Sequence, residues 1–255
     1  MEALNLSITV SFSAPDAFYD IYGHSNANMI KDTYYDAISG HHRSTGSTRS
    51  REEHSKKRRV VAHAFSARGV TEYEPEIVRL TGQLVKQLDL KASDTSNFDV
   101  QKWINLWAFD VIGAVMYRNP FGFLEHGHDV CTAETEQGKR YEVNAISSFL
   151  DGVRWTMVVG YLGTKTAYGL RRLLSFTHGP KMGANFSNMN IYRIRTRMKI
   201  PSTEPGNDIF SRFMAASAKQ PKGQEMSLGD MVAEADALVS YGASELFGRN
   251  KTHSS

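Results

Sequence analysis

With one cysteine, Cys131, in 255 residues, the chain can form no internal disulfide and no paired-thiol metal knuckle. Long apolar runs are missing too. The longest patch, 155–162, is broken by Gly160 and falls well short of the ~20 residues of a spanning helix. The first residues have neither the basic stretch nor the apolar stretch of a secretory leader. These absences predict a soluble chain without a transmembrane anchor, cytoplasmic or peripherally membrane-associated. A formal charge of +3, from 30 basic and 27 acidic residues, gives no overall pull toward a polyanion. No internal repeat, phosphate loop, nucleophile elbow or zinc-helix motif occurs.

The composition that remains suits a core. Hydrophobic residues make up 41% of the chain and aromatics 11%, enough for one large domain. Residues 4–13 alternate apolar and polar side chains and predict a strand. Pro15 to Tyr22 reads as a short helix capped by Ser13 and stopped by Gly23, and 39–50 as a polar loop. Helices follow over 52–65 and 71–90, the second on Val78, Leu84, Val85 and Leu88, with Pro75 tolerated in its first turn. The segment 97–117 is apolar around most of its circumference, so it predicts a helix buried on several sides and ended by Asn119-Pro-Phe-Gly122. Further helices are expected over 134–155, 168–175 and 208–218, with a weak pattern before Ile200. Ser227 and Asp230 form a capping box for a last helix. The fold class is mainly α with a small N-terminal β element.

Four segments, in order, resemble the N-terminal half of a cytochrome P450 of fungal microsomal type. Residues 8–22 and 31–36 resemble that family's first sheet and B helix. Residues 53–66 resemble its C helix, and 105–113 with 119–122 its E helix. The last, 207–214 with 226–245, resembles its entry into the oxygen-activating I helix. The resemblance implies a heme cofactor, with His54 and Arg58, four apart on one helical face, turned to the heme propionates. Without that context the basic run Arg49 to Arg59 reads as a solvated face. In the I helix the family sets a glycine, an acid and a threonine. Here the positions hold Gly242, Ser244 and Glu245, a degenerate set that leaves no intact catalytic residue.

The resemblance ends at Glu245. It implies a partial P450 domain over 1–245 and an unstructured tail over 246–255, lacking the cysteine loop that ligates heme iron. Around Cys131 only Gly127 agrees with that loop; Leu124, Asp129 and Ala133 do not. The chain is therefore expected to be a truncated, inactive relative of heme-thiolate monooxygenases acting on small lipophilic or secondary-metabolite substrates, with no stably bound heme. P450 reductase or another P450 are the implied partners. A different class remains open, a non-catalytic protein that binds a full-length P450 or a redox partner. Glu76 and Arg79 copy the family's K-helix pair but stand upstream of the E-helix match, and read as an ordinary ion pair. His126, His128 and Cys131 lack a fourth zinc ligand. The clusters Arg49 to Arg59 and Arg193 to Lys199 carry no nucleic-acid reader motif, so no nucleic-acid partner is expected.

Overall fold

A computed structural model describes residues 12–23, 29–39, 42–62, 69, 71–92, 99–200, 208–222 and 225–248, with the backbone alone given over 241–248. The chain divides into a short unit, Met1–Lys31, and a main unit, Asp32–Ser255. In the short unit α1 spans Pro15–Tyr22, with proline in its first turn, where no amide hydrogen is needed. Gly23 N–H donates to Tyr19 O at 2.8 Å and ends it. The cap position is Ala14 rather than Ser13, and no side chain bonds there. Most of the expected strand over 4–13 lies outside the described residues; Phe12 and Ser13 have no regular structure.

Among its described residues the main unit is helical apart from one hairpin. It runs α2 (Tyr34–Ile38), α3 (Arg51–Ala62), α4 (Glu74–Ala92), α5 (Val100–Tyr117), α6 (Phe123–His126), β1 (Val130–Glu134), β2 (Arg140–Asn144), α7 (Ala145–Gly160), α8 (Thr164–Leu173), α9 (His178–Met198), α10 (Ile209–Ala218) and α11 (Leu228–Gly248). The β element of the described residues thus sits mid-chain, where the sequence predicts the start of a helix over 134–155. Tyr141 and Val143 alternate with Arg140 and Glu142, and Gly138, at φ 88°, allows the tight return. Cys131 pairs with Val143 and Ala133 with Tyr141 in the antiparallel register.

The α4 stripe is shifted from the expected one. Val78 and Val85 are exposed at 63% and 50%, whereas Leu80, with Ile77, Leu84 and Leu88, turns inward. α5 is buried nearly all round, through Trp103, Leu106, Phe109, Gly113, Met116 and Tyr117, as its sequence predicts. Asp99 caps it by accepting from Lys102 N–H at 3.1 Å. One core joins α4, α5, α6, the hairpin, α7, α9 and Val239 of α11; a second joins α3, α5, α9, α10 and α11. α9 therefore bridges both, although its sequence gives little sign of a helix. Its inward face includes Asn185, Asn190, Arg193 and Arg197, which dilute the apolar period.

Candidate functional site

The corner where α3 meets the start of α11 is built from charged side chains. Ser227 caps α11: its hydroxyl donates to Asp230 Oδ2 at 2.7 Å and accepts from Asp230 N–H at 3.1 Å, while Ser227 N–H donates to the same carboxylate at 3.1 Å. The reciprocal box read from the sequence is formed, with aspartate in the place of glutamate. Asp230 also meets His42 Nδ1 at 3.2 Å and Lys57 Nζ at 3.8 Å. Lys57 in turn lies 3.4 Å from Glu53 and donates to the carbonyl of Arg43.

Two turns of α11 deepen this anchor. Glu234 Oε1 accepts from both Thr45 N–H, at 2.7 Å, and Thr45 Oγ, at 2.9 Å. Burial pushes the Glu234 carboxyl up, and Thr45's donors oppose that shift. Thr48 Oγ donates to Glu53 at 2.8 Å on the α3 side. The expected loop over 39–50 is thus pinned to both helices through 42–48. Neither Thr45 nor Glu234 is marked by sequence periodicity.

His54 and Arg58 lie one turn apart on α3, next around the helix from the row of Glu53 and Lys57 that faces α11. His54 is half-buried and Arg58 exposed. A guanidinium so placed can bind a carboxylate from solvent. Gly242, Ser244 and Glu245 fall on the helical backbone of α11, and their side chains lie outside the described residues. That helix continues to Gly248, three residues into the stretch that the sequence marks as tail.

The other cofactor candidates are separated by the fold. Cys131 is half-buried on β1 against the core. Burial pushes its thiol up to about 12; the charge of Arg193 opposes that shift and Asp129 adds to it. His126 Nδ1 bonds Gly122 O at 2.7 Å and so must donate, while His128 Nδ1 accepts from Val130 N–H at 3.3 Å. The two imidazoles lie side by side on the surface, with centroids 5.6 Å apart, and Cys131 faces inward away from them. Among the described residues no three His, Cys, Asp or Glu gather into a metal-ligating group.

Arg193 and Arg197, two turns of a basic run in the sequence, point into the protein. Arg193 stacks over Phe121 at 4.0 Å and donates to the carbonyls of Asn119, at 3.4 Å, and Pro120, at 3.3 Å. Burial lowers its pKa. Arg197 pairs with buried Asp208, which caps α10, and Arg195 reaches Glu134 at 2.6 Å. These arginines hold elements together and do not form a basic surface. Glu76 and Arg79 make an i, i+3 pair on α4, with Arg79 Nε donating at 2.9 Å.

Asp110 is a further buried carboxylate. From α5 it accepts the N–H groups of Gly122 (2.7 Å), Phe123 (3.1 Å) and Leu124 (2.8 Å). It thereby folds Asn119-Pro-Phe-Gly122 back onto its own helix and caps α6. Burial raises its pKa while those amides lower it. The Asn-Pro-Phe-Gly turn and its aspartate, nine residues upstream of Asn119, are therefore one structural unit.

Comparison with known proteins covers the same stretch. The Cytochrome P450 family model matches residues 7–242. A benzoate 4-monooxygenase, bphA, from Aspergillus niger is 27% identical over 237 residues, which is 88% of this chain and 45% of that protein. Trichothecene C-15 hydroxylase from Fusarium sporotrichioides is 25% identical over 237 residues, 92% of this chain and 44% of that protein. The cytochrome P450 monooxygenase ORF11 of Penicillium roqueforti is 27% identical over 217 residues, 80% and 41%. The chain thus spans a little under half the length of these relatives. No helix among the described residues is long and apolar enough to cross a membrane. A match running from residue 7 into α11, over a mainly helical chain with one small hairpin, places the protein in the cytochrome P450 family.

Proposed function

We propose that this chain forms the I-helix side of a heme-dependent monooxygenase, as one partial domain over 1–245, and that its 255 residues alone do not assemble the thiolate-ligated iron such an enzyme needs. The environment of Cys131 carries this reading. Thiolate, not thiol, is the metal ligand, and a thiol pushed up to about 12 stays neutral near physiological pH. Its strand pairing opposite Val143 and its contact with the core also hold it away from a cofactor. The described residues therefore do not fit the proximal side of a heme.

The propionate side of the reading is supported by α3. His54 and Arg58 share a face of α3, and the exposed Arg58 guanidinium suits a propionate carboxylate. A thiolate-bound heme supplies O–O bond cleavage. Its cysteine would come from polypeptide outside these residues, and electrons from a reductase. In the I helix, Ser244 and Glu245 in place of an acid and a threonine weaken proton delivery. The relatives, a benzoate 4-monooxygenase and a trichothecene C-15 hydroxylase among them, support oxygen insertion into a small lipophilic or secondary-metabolite substrate as the activity of the whole protein. Peripheral membrane association or a cytoplasmic location fits the lack of a spanning helix among the described residues.

The test is a reduced carbon monoxide difference spectrum of the purified chain supplied with heme. The expected result is no thiolate-type Soret band, with the wild type and Cys131→Ala alike. A thiolate band that disappears in Cys131→Ala overturns the reading.

A further inference from the structure

Between α5, α9 and α11 lies a line of polar side chains that the P450 reading does not use. Tyr117 of α5 is fully enclosed, and its hydroxyl donates to Asn190 Oδ1 at 2.9 Å. Asn190 of α9, also fully buried, donates from Nδ2 to Asp236 Oδ1 at 2.7 Å. Ser187, one turn earlier on α9, donates to Asp236 Oδ2 at 2.5 Å. Every donor in the line points toward Asp236 of α11, whose two oxygens both accept while the carboxylate is ionised.

Among the described residues Asp236 forms no ion pair. The titratable group that feels its charge is Tyr117 of α5, which the charge of Arg193 on α9 also reaches. Arg193 is committed to the carbonyls of Asn119 and Pro120. Asp236 is half-buried as a residue, but its carboxylate is turned in between the helices, where burial pushes its pKa up to about 6 and the Ser187 and Asn190 donors oppose that shift.

A proton on Asp236 changes what the line can do. A neutral carboxyl donates one bond from the oxygen that holds the proton, so the donor facing that oxygen, Asn190 at Oδ1 or Ser187 at Oδ2, must turn round. The Asn190 amide can do this by exchanging its oxygen and nitrogen, since the Tyr117 hydroxyl accepts as readily as it donates. We propose that Tyr117, Asn190 and Asp236 form a reversible hydrogen-bond chain, a proton-linked clasp joining α5, α9 and α11 whose direction is set by the charge on Asp236. With the carboxylate charged, bonds run from Tyr117 to Asp236; with it neutral, they run from Asp236 to Tyr117. The clasp lies two turns ahead of Gly242 on α11, so that helix is held differently on the two sides of the titration.

The sign of the stability effect follows from linkage. The folded pKa, about 6, stands above the ordinary value of 3.8, so the folded state takes up the proton first. This group's contribution is fully present below 3.8 and is lost as pH rises through about 6.

The experiment follows the thermal midpoint of the purified chain against pH for the wild type, Asp236→Asn and Ser187→Ala. The wild-type curve minus the Asp236→Asn curve should fall across that window and level off above it. Ser187→Ala removes a donor that favours the charged form, so it should move the fall to higher pH; a residue that only fills space would give no such displacement. The Asn190 side-chain amide proton resonances of the wild type should shift with the same midpoint and stay fixed in Asp236→Asn. A flat difference curve, or a Ser187→Ala curve that titrates with the wild type, overturns the proposal. So does an Asn190 amide that is unmoved across the window.

Discussion

Gly152 of α7 crosses Gly183 of α9 so closely that a Cβ on residue 152 would stand 2.8 Å from both the Cα and the amide nitrogen of Gly183. The reverse is not true: a Cβ on residue 183 meets nothing nearer than the Gly152 Cα at 3.8 Å. The backbone of α9 cannot yield as a flexible side-chain tip would, so Gly152→Ala should overpack the crossing by about 1–3 kcal/mol. Gly183→Ala should be neutral or gain up to about 1 kcal/mol from helix propensity. Thermal unfolding of the two variants checks this asymmetry, and equal losses would refute it.

Asp208 does two things at once. It caps α10 by accepting from Ser211 N–H at 2.8 Å, and it takes two bonds from the buried Arg197, at 3.1 and 2.8 Å. Asp208→Ala leaves a guanidinium stranded in the interior and should cost about 3–5 kcal/mol. Arg197→Met leaves the Asp208 carboxylate with the Ser211 amide and hydroxyl as donors at the start of α10, so it should cost less. Denaturant unfolding of both variants gives the comparison.

Glu134 ends β1 between Arg140 and Arg195, at 2.8 and 2.6 Å. Hydrogen bonds from Arg140 and then Arg195 hold its carboxyl below the ordinary 4.5. A depressed folded pKa means stability that is present above 4.5 and lost as pH falls through the folded value. Glu134→Gln should therefore be less stable than the wild type at neutral pH, with the gap closing in acid. Unfolding midpoints measured down the acid limb test this, and a gap that widens in acid contradicts it.

The parts of the fold legible in the sequence are those where local chemistry and burial agree. α5 carries apolar residues around most of its circumference and is buried on several sides; Ser227 and Asp230 cap α11 as their spacing implies. α9 was illegible for a physical reason. Its buried face is satisfied by hydrogen bonds to distant partners, Asn190 to Tyr117 and Asp236, Arg197 to Asp208, and a polar residue gives no sign in sequence that its partner waits on another helix. The hairpin over 130–144 was hidden by length, since five-residue strands with two inward side chains each resemble a helix start. At the candidate site the i, i+4 relation of His54 and Arg58 is local and could be read. The anchors Thr45 to Glu234 and Lys57 to Asp230 span long sequence separations and could not.

Cys131 provides a chemical check on the site. With its thiol near 12 instead of 9.0, the reactive thiolate is rarer by about a thousandfold at equal pH. Alkylation of the native chain should be slow by about that factor relative to a free thiol, and should approach the free rate in denaturant. Fast alkylation of the folded chain would put an accessible thiolate at residue 131 and reopen it as a metal ligand.

Glu234 tests whether the loop over 42–48 is fastened through α11. One carboxylate oxygen accepts both donors of Thr45, and the residue is buried. Glu234→Ala leaves an amide and a hydroxyl without an acceptor where water has little access, a loss of about 1–3 kcal/mol. If the loop opens locally, that loss is read as amide exchange at Thr45 faster by about 10- to 100-fold, since every 1.4 kcal/mol is tenfold. Glu234→Gln keeps an oxygen for both donors and removes the buried charge, so its exchange should stay near that of the wild type. The pair separates two roles for the residue. Loss of protection in both variants would mean that the charge itself holds the loop, through Lys57 or His42; loss in alanine alone assigns the hold to the two Thr45 bonds. The second pattern is expected, because Lys57 and His42 already meet Asp230.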